Sequence, residues 1–271
     1  MNIEHNNSLI PFLKWAGGKR WLVSSKPEFF PKNFNYYLEP FLGSGAVFFH
    51  LNPEKSILAD INSDLIETYK AISSGWKKVL KHLKIHDKKH SKKYYYQIRN
   101  FQPRSPYTKA ARLIYLNRTC WNGLYRINRN GMFNVPIGTK KRAILNTDNF
   151  ELTSKLLKSA ELTVSDFEPI IDKAQLDDFV FIDPPYTANH RNNGFIKYNE
   201  KLFSWEDQIR LKYAILRAKN RGAKILLTNS SHKSIQDLYS DFGQMFVLKR
   251  SSIIAADTKK RKDCHELIVK I

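Results

Sequence analysis

Cysteine is scarce: the chain carries only Cys120 and Cys264 in 271 residues, and no CxxC pair. Two thiols so placed exclude a disulfide framework and a zinc cage, and they fit a reducing, cytoplasmic location. Long hydrophobic runs are missing as well. No stretch of about 18 uninterrupted apolar residues occurs, which excludes a membrane-spanning helix. Residues 1–10 are polar and lack the basic-then-apolar layout of a secretory signal, so export is not expected. Acidic residues are few beside basic ones, 25 against 45, which leaves a formal net charge of +20.

That excess favours a polyanionic partner, because each phosphate neutralised by Lys or Arg releases condensed counterions. Lys outnumbers Arg 31 to 14, as compositional drift in a Lys-rich proteome also produces. The densest basic run lies between Lys77 and Lys93. Hydrophobic residues make up 42%, enough for a sizeable core in one or two domains.

Continuous apolar runs at 36–38, 56–59, 179–182 and 224–227 suit parallel strands covered on both faces. Helical patterns separate them. Leu65, Tyr69 and Ile72 follow a cap at Asn62 or Ser63, and Ser204 with Asp207 forms a capping-box pattern before Ile209, Tyr213 and Leu216. Gly222 is placed to end that second helix. Strands alternating with helices predict a doubly wound α/β sheet. The middle of the chain differs. Trp76, Val79, Leu80 and Leu83 share a helical face, a second helix is expected over 110–117, and 121–138 is rich in Gly and Asn. Residues 70–150 therefore read as a mainly helical insertion between the two parts of an α/β domain, 1–69 and 151–271.

Three segments carry chemistry. Asp183-Pro184-Pro185-Tyr186 follows the strand at 179–182, where ligands of open α/β sheets bind. The nitrogen of an aromatic amine is a poor nucleophile, its lone pair delocalised into the ring. Asp183 and the Pro184 carbonyl accept that amine's two hydrogens and favour a tetrahedral nitrogen. Tyr186 offers a ring for a base to stack on. The plainer reading is a rigid strand-ending turn. Glu39-Pro40-Phe41-Leu42-Gly43-Ser44-Gly45 follows the strand at 36–38, its glycines permitting close backbone approach to a ligand or simply a tight turn. Asp60, seventeen positions beyond Gly43, is placed for ribose hydroxyls or for capping the next helix. The third segment, from Pro11 to Lys19, contains Lys14, Trp15 and a Gly17-Gly18-Lys19 run without P-loop spacing.

In this order the segments resemble the Dam-like DNA adenine N6-methyltransferases, the alpha group of the D12 class. The matching pieces are PFLKWAGGKRWL at 11–22, EPFLGSGAVFF at 39–49, ADINSDLI at 59–66, NGLYRINRNGMFNVPIG at 122–138 and DPPY at 183–186. The resemblance implies a Rossmann-like methyltransferase sheet with an inserted helical target-recognition domain. It implies that Trp15, Lys19, Glu39, Asp60 and Asp183 contact S-adenosyl-L-methionine (AdoMet), with Gly43, Ser44 and Gly45 around its methionine part. Asp166 and Phe167, after an apolar run at 162–164, correspond to the contact with the cofactor's adenine. The substrate implied is double-stranded DNA, with N6 of adenine methylated within GATC. Lys14 and Arg126 would each reach a guanine, Leu124 a thymine methyl and Pro136 a cytosine. Trp121, beside Asn122, would fill the gap left by the flipped adenine. Relatives usually carry Tyr or Phe at that position. One short site and one recognition domain predict a monomer, and a companion restriction endonuclease is compatible with the reading.

No metal is expected. His82, His86 and His90 share a helical face, but the lysines around them repel cations, so a solvated or DNA-facing helix is the expectation. Tyr94–Tyr96 reads as packing at a helix end, and Lys259–Lys262 as a loop in a late hairpin. Cys120 follows no proline, which excludes a cytosine C5-methylase nucleophile. Two other classes compete with this reading: a methyltransferase acting on cytosine N4, RNA adenine or protein glutamine, and a catalytically silent DNA-binding regulator. The first more often has Ser or Asn where Asp183 stands. The second would be at liberty to lose Asp183, Lys19 or Asp60.

Overall fold

The computed structural model describes residues 9–128, 130–186, 203–251 and 263–271. The loop expected at Lys259–Lys262 lies outside them. The buried apolar runs become strands β1 (Tyr37–Glu39), β2 (Ser56–Asp60), β4 (Phe179–Ile182) and β5 (Lys224–Ser230), joined by β3 (Ala160–Val164), β6 (Gln244–Ser251) and β7 (Asp263–Lys270). They form one seven-stranded sheet in the order β3-β2-β1-β4-β5-β7-β6. β1 runs parallel to β2 and β4, and β4 parallel to β5, while β7 is antiparallel to both β5 and β6. The α/β class expected from alternating strands and helices is the class observed.

Two strands differ in extent from the apolar pattern. β1 is shifted by one residue, so that Glu39 closes it. Tyr36 is exposed, and its amide is held by the Asp178 carboxylate at 2.9 Å rather than by a strand. β5 runs on through Thr228, Asn229 and Ser230 because β7 pairs with it as far as Ser230, beyond Leu227 where its pairing with β4 ends. Hydrogen bonding continues where hydrophobicity stops.

By compactness the chain separates into two units, one of Met1–Ser25, Leu42–Glu54 and Asn62–Val164, the other of Lys26–Phe41, Lys55–Ile61 and Ser165–Ile271. Within the second, Leu38, Val180, Ile182, Ile225 and Leu227 of the sheet pack with Leu211, Ala214 and Ile215 of α8 (Trp205–Asn220). The capping box at the start of α8 is present: Ser204 Oγ accepts the Asp207 N–H at 3.1 Å and Asp207 Oδ2 accepts the Ser204 N–H at 2.9 Å. Gly222, at φ +86°, follows its end.

The first unit is built on α3 (Ser63–Lys89), α4 (Lys92–Asn100) and α5 (Pro106–Thr119). Asn62, not Ser63, caps α3, its side chain accepting the Leu65 N–H at 3.1 Å. α3 kinks at Gly75, where the Tyr107 ring occupies the space that a Cβ would need. Arg118 of α5 is 3% exposed, forms a two-pronged pair with Asp148 at 2.6 Å, and donates to the carbonyls of Phe12 and Ala143. A buried guanidinium requires such complete pairing, and here it anchors the segment that carries Lys14 and Trp15.

The histidine face is different from the one expected. α3 ends at Lys89, and His90 has left the helix at ψ 121°. His86 Nδ1 lies 2.8 Å from the Tyr94 hydroxyl and His90 Nδ1 lies 2.9 Å from that of Tyr115, so these two half-buried rings meet tyrosines of α4 and α5 while the lysines of α3 stay exposed. Burial, then the charges of His82, Arg112 and Lys89, lowers the His86 pKa to about 4. Tyr95 is buried and donates to the Val135 carbonyl, the packing role read for that trio.

Candidate active site

Within the second unit, parallel strands bring their carboxyl ends to one edge of the sheet. Glu39 closes β1, Asp60 closes β2 and Asp183 follows β4 immediately. Thr228 of β5 stands beside Asp183, its hydroxyl donating to Asp183 Oδ1 at 2.8 Å. A threonine donor orients the carboxylate and leaves the group an acceptor. Pro184 is buried, and Tyr186 donates its hydroxyl to Glu266 Oε1 on β7. Burial first, then Asp183 and Glu266 nearby, pushes the Tyr186 phenol well above its ordinary pKa, which keeps it a donor. Glu39, 2% exposed, accepts the Tyr37 hydroxyl at 2.8 Å. Asp166 caps α7 (Phe167–Ile171) and pairs with Arg210 at 2.9 Å. Phe167 is 4% exposed and stacks on Phe41, centroids 5.4 Å apart.

Within the first unit, Trp15 lies over the glycine turn: a Cβ on Gly43 would fall 2.9 Å from its indole. Gly43, at φ +47°, thus satisfies both a left-handed backbone and a close approach. Its carbonyl accepts the Tyr69 hydroxyl at 3.0 Å. Ser44 is buried, and Gly45, at φ +65°, caps α2 (Ala46–Leu51). Lys19, 2% exposed, directs Nζ to the Gly17 carbonyl at 2.6 Å.

The same unit gathers Lys14, Trp121, Asn122, Leu124, Arg126 and Pro136, all of them exposed. Asn117 of α5 links the Lys14 segment to the loop at Gly123. Its side chain accepts the Lys14 N–H at 2.9 Å and donates to the carbonyls of Lys14, at 2.8 Å, and Gly123, at 3.2 Å. The loop folds back on itself through Trp121 N–H to the Pro136 carbonyl, 2.9 Å, and Asn134 N–H to the Arg126 carbonyl, 3.0 Å. Arg126 Nε donates to Asn134 Oδ1 at 2.8 Å, which fixes its guanidinium plane. Cys120 sits beneath this loop. Burial pushes its thiol up to about 11, so it is no nucleophile.

A family model described as "D12 class N6 adenine-specific DNA methyltransferase" matches residues 15–253. The chain belongs to this family. Its reaction is the transfer of a methyl group to N6 of adenine in DNA, and membership implies AdoMet as donor and double-stranded DNA as substrate. The chain is 34% identical to the type II methyltransferase M1.LlaDCHI of Lactococcus lactis subsp. cremoris over 99% of its own length and 98% of the relative's. It is 35% identical to the type II methyltransferase M.MjaIII of Methanocaldococcus jannaschii over 96% and 98%. Against the DNA adenine methylase of Haemophilus influenzae the identity is 33%, over 95% of this chain and 92% of that one.

The donor set suits the cofactor of this D12 enzyme. Ribose hydroxyls and an ammonium group require acceptors, and carboxylates end β1 and β2. No helix among the described residues is long and apolar enough to cross a membrane. The sequence motifs did not point to Thr228, Glu266 or Asn117. One signal was available for the first: Thr228-Asn229-Ser230 is a polar run directly after buried Ile225–Leu227, as expected where a strand ends in a site.

Proposed function

We propose that the enzyme methylates the adenine of GATC and swings that base out of the stack into the pocket of Asp183-Pro184-Pro185-Tyr186. The observation that carries the reading is the exposure of Lys14, Trp121, Leu124, Arg126 and Pro136, on two segments that Asn117 joins through the backbone of Lys14 and of Gly123. Arg126 offers two Nη groups to O6 and N7 of a guanine, and Leu124 an apolar contact for a thymine methyl. Lys14 reaches the other guanine and Pro136 packs by cytosine. Trp121, 46% exposed, enters the space vacated by the adenine, with Asn122 at its side.

AdoMet supplies the methyl group from its sulfonium. Asp183 and the Pro184 carbonyl accept the two amine hydrogens of the flipped adenine, so the nitrogen lone pair turns out of the ring plane. Tyr186 stacks on the base. Trp15, Lys19, Glu39, Asp60 and Asp183 hold the cofactor, Gly43, Ser44 and Gly45 surround its methionine part, and Asp166 with Phe167 meets its adenine. Residues 1–69 and 151–271 form the AdoMet-binding catalytic domain and 70–150 the recognition domain. The palindromic site lets a monomer modify each strand in a separate encounter. Two relatives named type II methyltransferases favour a protective role beside a restriction endonuclease, within the cytoplasm.

Digestion of methylated DNA by an endonuclease that GATC methylation blocks tests the site. Protection is expected, with Arg126→Ala costing about 1–3 kcal/mol of discrimination at its guanine. Full cutting, with adenine methylation mapped to another motif, refutes the readout and leaves the chemistry standing.

A further inference from the structure

Glu266 is 3% exposed and precedes Leu267, Ile268 and Val269, each at 0%. A carboxyl group in such a strand is costly to bury unless it is bonded, and it does nothing for packing that an apolar side chain would not do better. β7 places it opposite Ser230 of β5 on one side and Leu248 of β6 on the other. Its Oε1 accepts the hydroxyl of Tyr186, eighty residues away in sequence. Thr228, two residues before Ser230, donates to Asp183. Both ends of the Asp183–Tyr186 segment are therefore tied to side chains of other strands, Asp183 to Thr228 of β5 and Tyr186 to Glu266 of β7.

We propose that Glu266 is a positioning residue for methyl transfer: it holds against tilting the Tyr186 ring on which the extruded adenine stacks. The proposal rests on the reading that Tyr186 faces a flipped base. A phenol bonded only by its ring edges can tilt, whereas one bonded at its hydroxyl to a group set between two strands is held at both ends. The tilt matters because transfer requires the amine nitrogen to meet the methyl donor in line. A misplacement of about 1 Å costs on the order of 100-fold in rate. Glu266 acts through Tyr186.

The test uses the full-length enzyme, duplex DNA and the variants Glu266→Gln, Glu266→Leu, Tyr186→Phe and the double variant Glu266→Leu/Tyr186→Phe. Glu266→Gln keeps an oxygen acceptor and retains kcat within about threefold. Glu266→Leu and Tyr186→Phe remove the same bond from opposite ends, and each lowers kcat by roughly 10- to 100-fold with KM for AdoMet within about twofold. The double variant is no slower than the slower single one, the non-additivity expected of two groups acting through one bond. Should Glu266→Leu fail to fold, Tyr186→Phe against Glu266→Gln carries the comparison alone. A 2-aminopurine at the target position reports base extrusion separately, and its bound-state intensity should differ between wild type and Tyr186→Phe. Wild-type kcat and wild-type intensity in both Glu266→Leu and Tyr186→Phe would overturn the positioning role. A wild-type enzyme that leaves 2-aminopurine fluorescence unchanged refutes the flipping reading, and the proposal with it.

Discussion

The Trp15 indole stacks on the Tyr125 ring, centroids 5.2 Å apart and planes 25° from parallel, while the Tyr125 hydroxyl donates to Asp64 Oδ2 at 2.8 Å. Tyr125 lies between Leu124 and Arg126 in the chain. One ring thus touches both the residue assigned to the cofactor and the loop assigned to the bases. Tyr125→Ala should weaken AdoMet binding by about 0.5–1.5 kcal/mol, the range for an aromatic pair. Tyr125→Phe keeps the stack and loses the hydroxyl's bonds to Asp64 and Asn62, so its AdoMet affinity should stay close to wild type. Calorimetry on both variants decides the matter; equal affinity in all three proteins would make the stack irrelevant to the cofactor.

Asp183→Ala should abolish transfer, because the amine loses its main acceptor, while DNA affinity falls far less. Thr228→Val leaves the carboxylate in place and removes the donor that orients it. A loss of about 0.5–1.5 kcal/mol in transition-state stabilisation, or roughly two- to tenfold in kcat, is expected. Single-turnover methylation separates these effects from product release. Asp183→Ala activity within tenfold of wild type would refute the catalytic assignment.

Lys77, Lys78, Lys81, Lys84, Lys88, Lys89, Lys92 and Lys93 are all exposed on α3 and α4. The one acid in that run, Asp87, is taken by Arg142 at 3.0 Å and by the amides of Ala143 and Ile144. DNA affinity should fall steeply with salt, the log–log slope approaching about −0.9 per phosphate neutralised. Replacing Lys88, Lys89, Lys92 and Lys93 by Gln should flatten the slope and weaken all sequences alike. An unchanged slope assigns these lysines to solvent.

His86 binds its proton only near pH 4 in the folded protein, against about 6.5 for an unhindered imidazole. Between those values the unfolded chain carries the extra proton, so stability rises with pH there. The contribution is complete above about pH 6.5 and disappears as the pH falls through about 4. His86→Phe keeps a ring against Tyr115, 5.1 Å from the imidazole in wild type, and removes the titration. Its melting temperature should depend less on pH across that window. Parallel curves for the two proteins would show that His86 does not titrate on unfolding.

Local chain chemistry determined what the sequence by itself made readable. Buried runs ended in Glu39, Asp60 and Asp183 because a parallel strand needs apolar faces and its carboxyl end does not. Asn62 and the Ser204–Asp207 pair announced helix starts because a cap bonds within three residues of itself. Asn117 to Lys14 spans 103 residues and Tyr186 to Glu266 spans 80, and no local pattern encodes either. Thr228 meets Asp183 because β5 pairs with β4 in one register, Ile182 opposite Leu227. A slip of one residue would turn that hydroxyl to the other face of the sheet. Register and strand order are set by packing between distant segments, so the residues that orient the motif became visible only once the sheet was assembled.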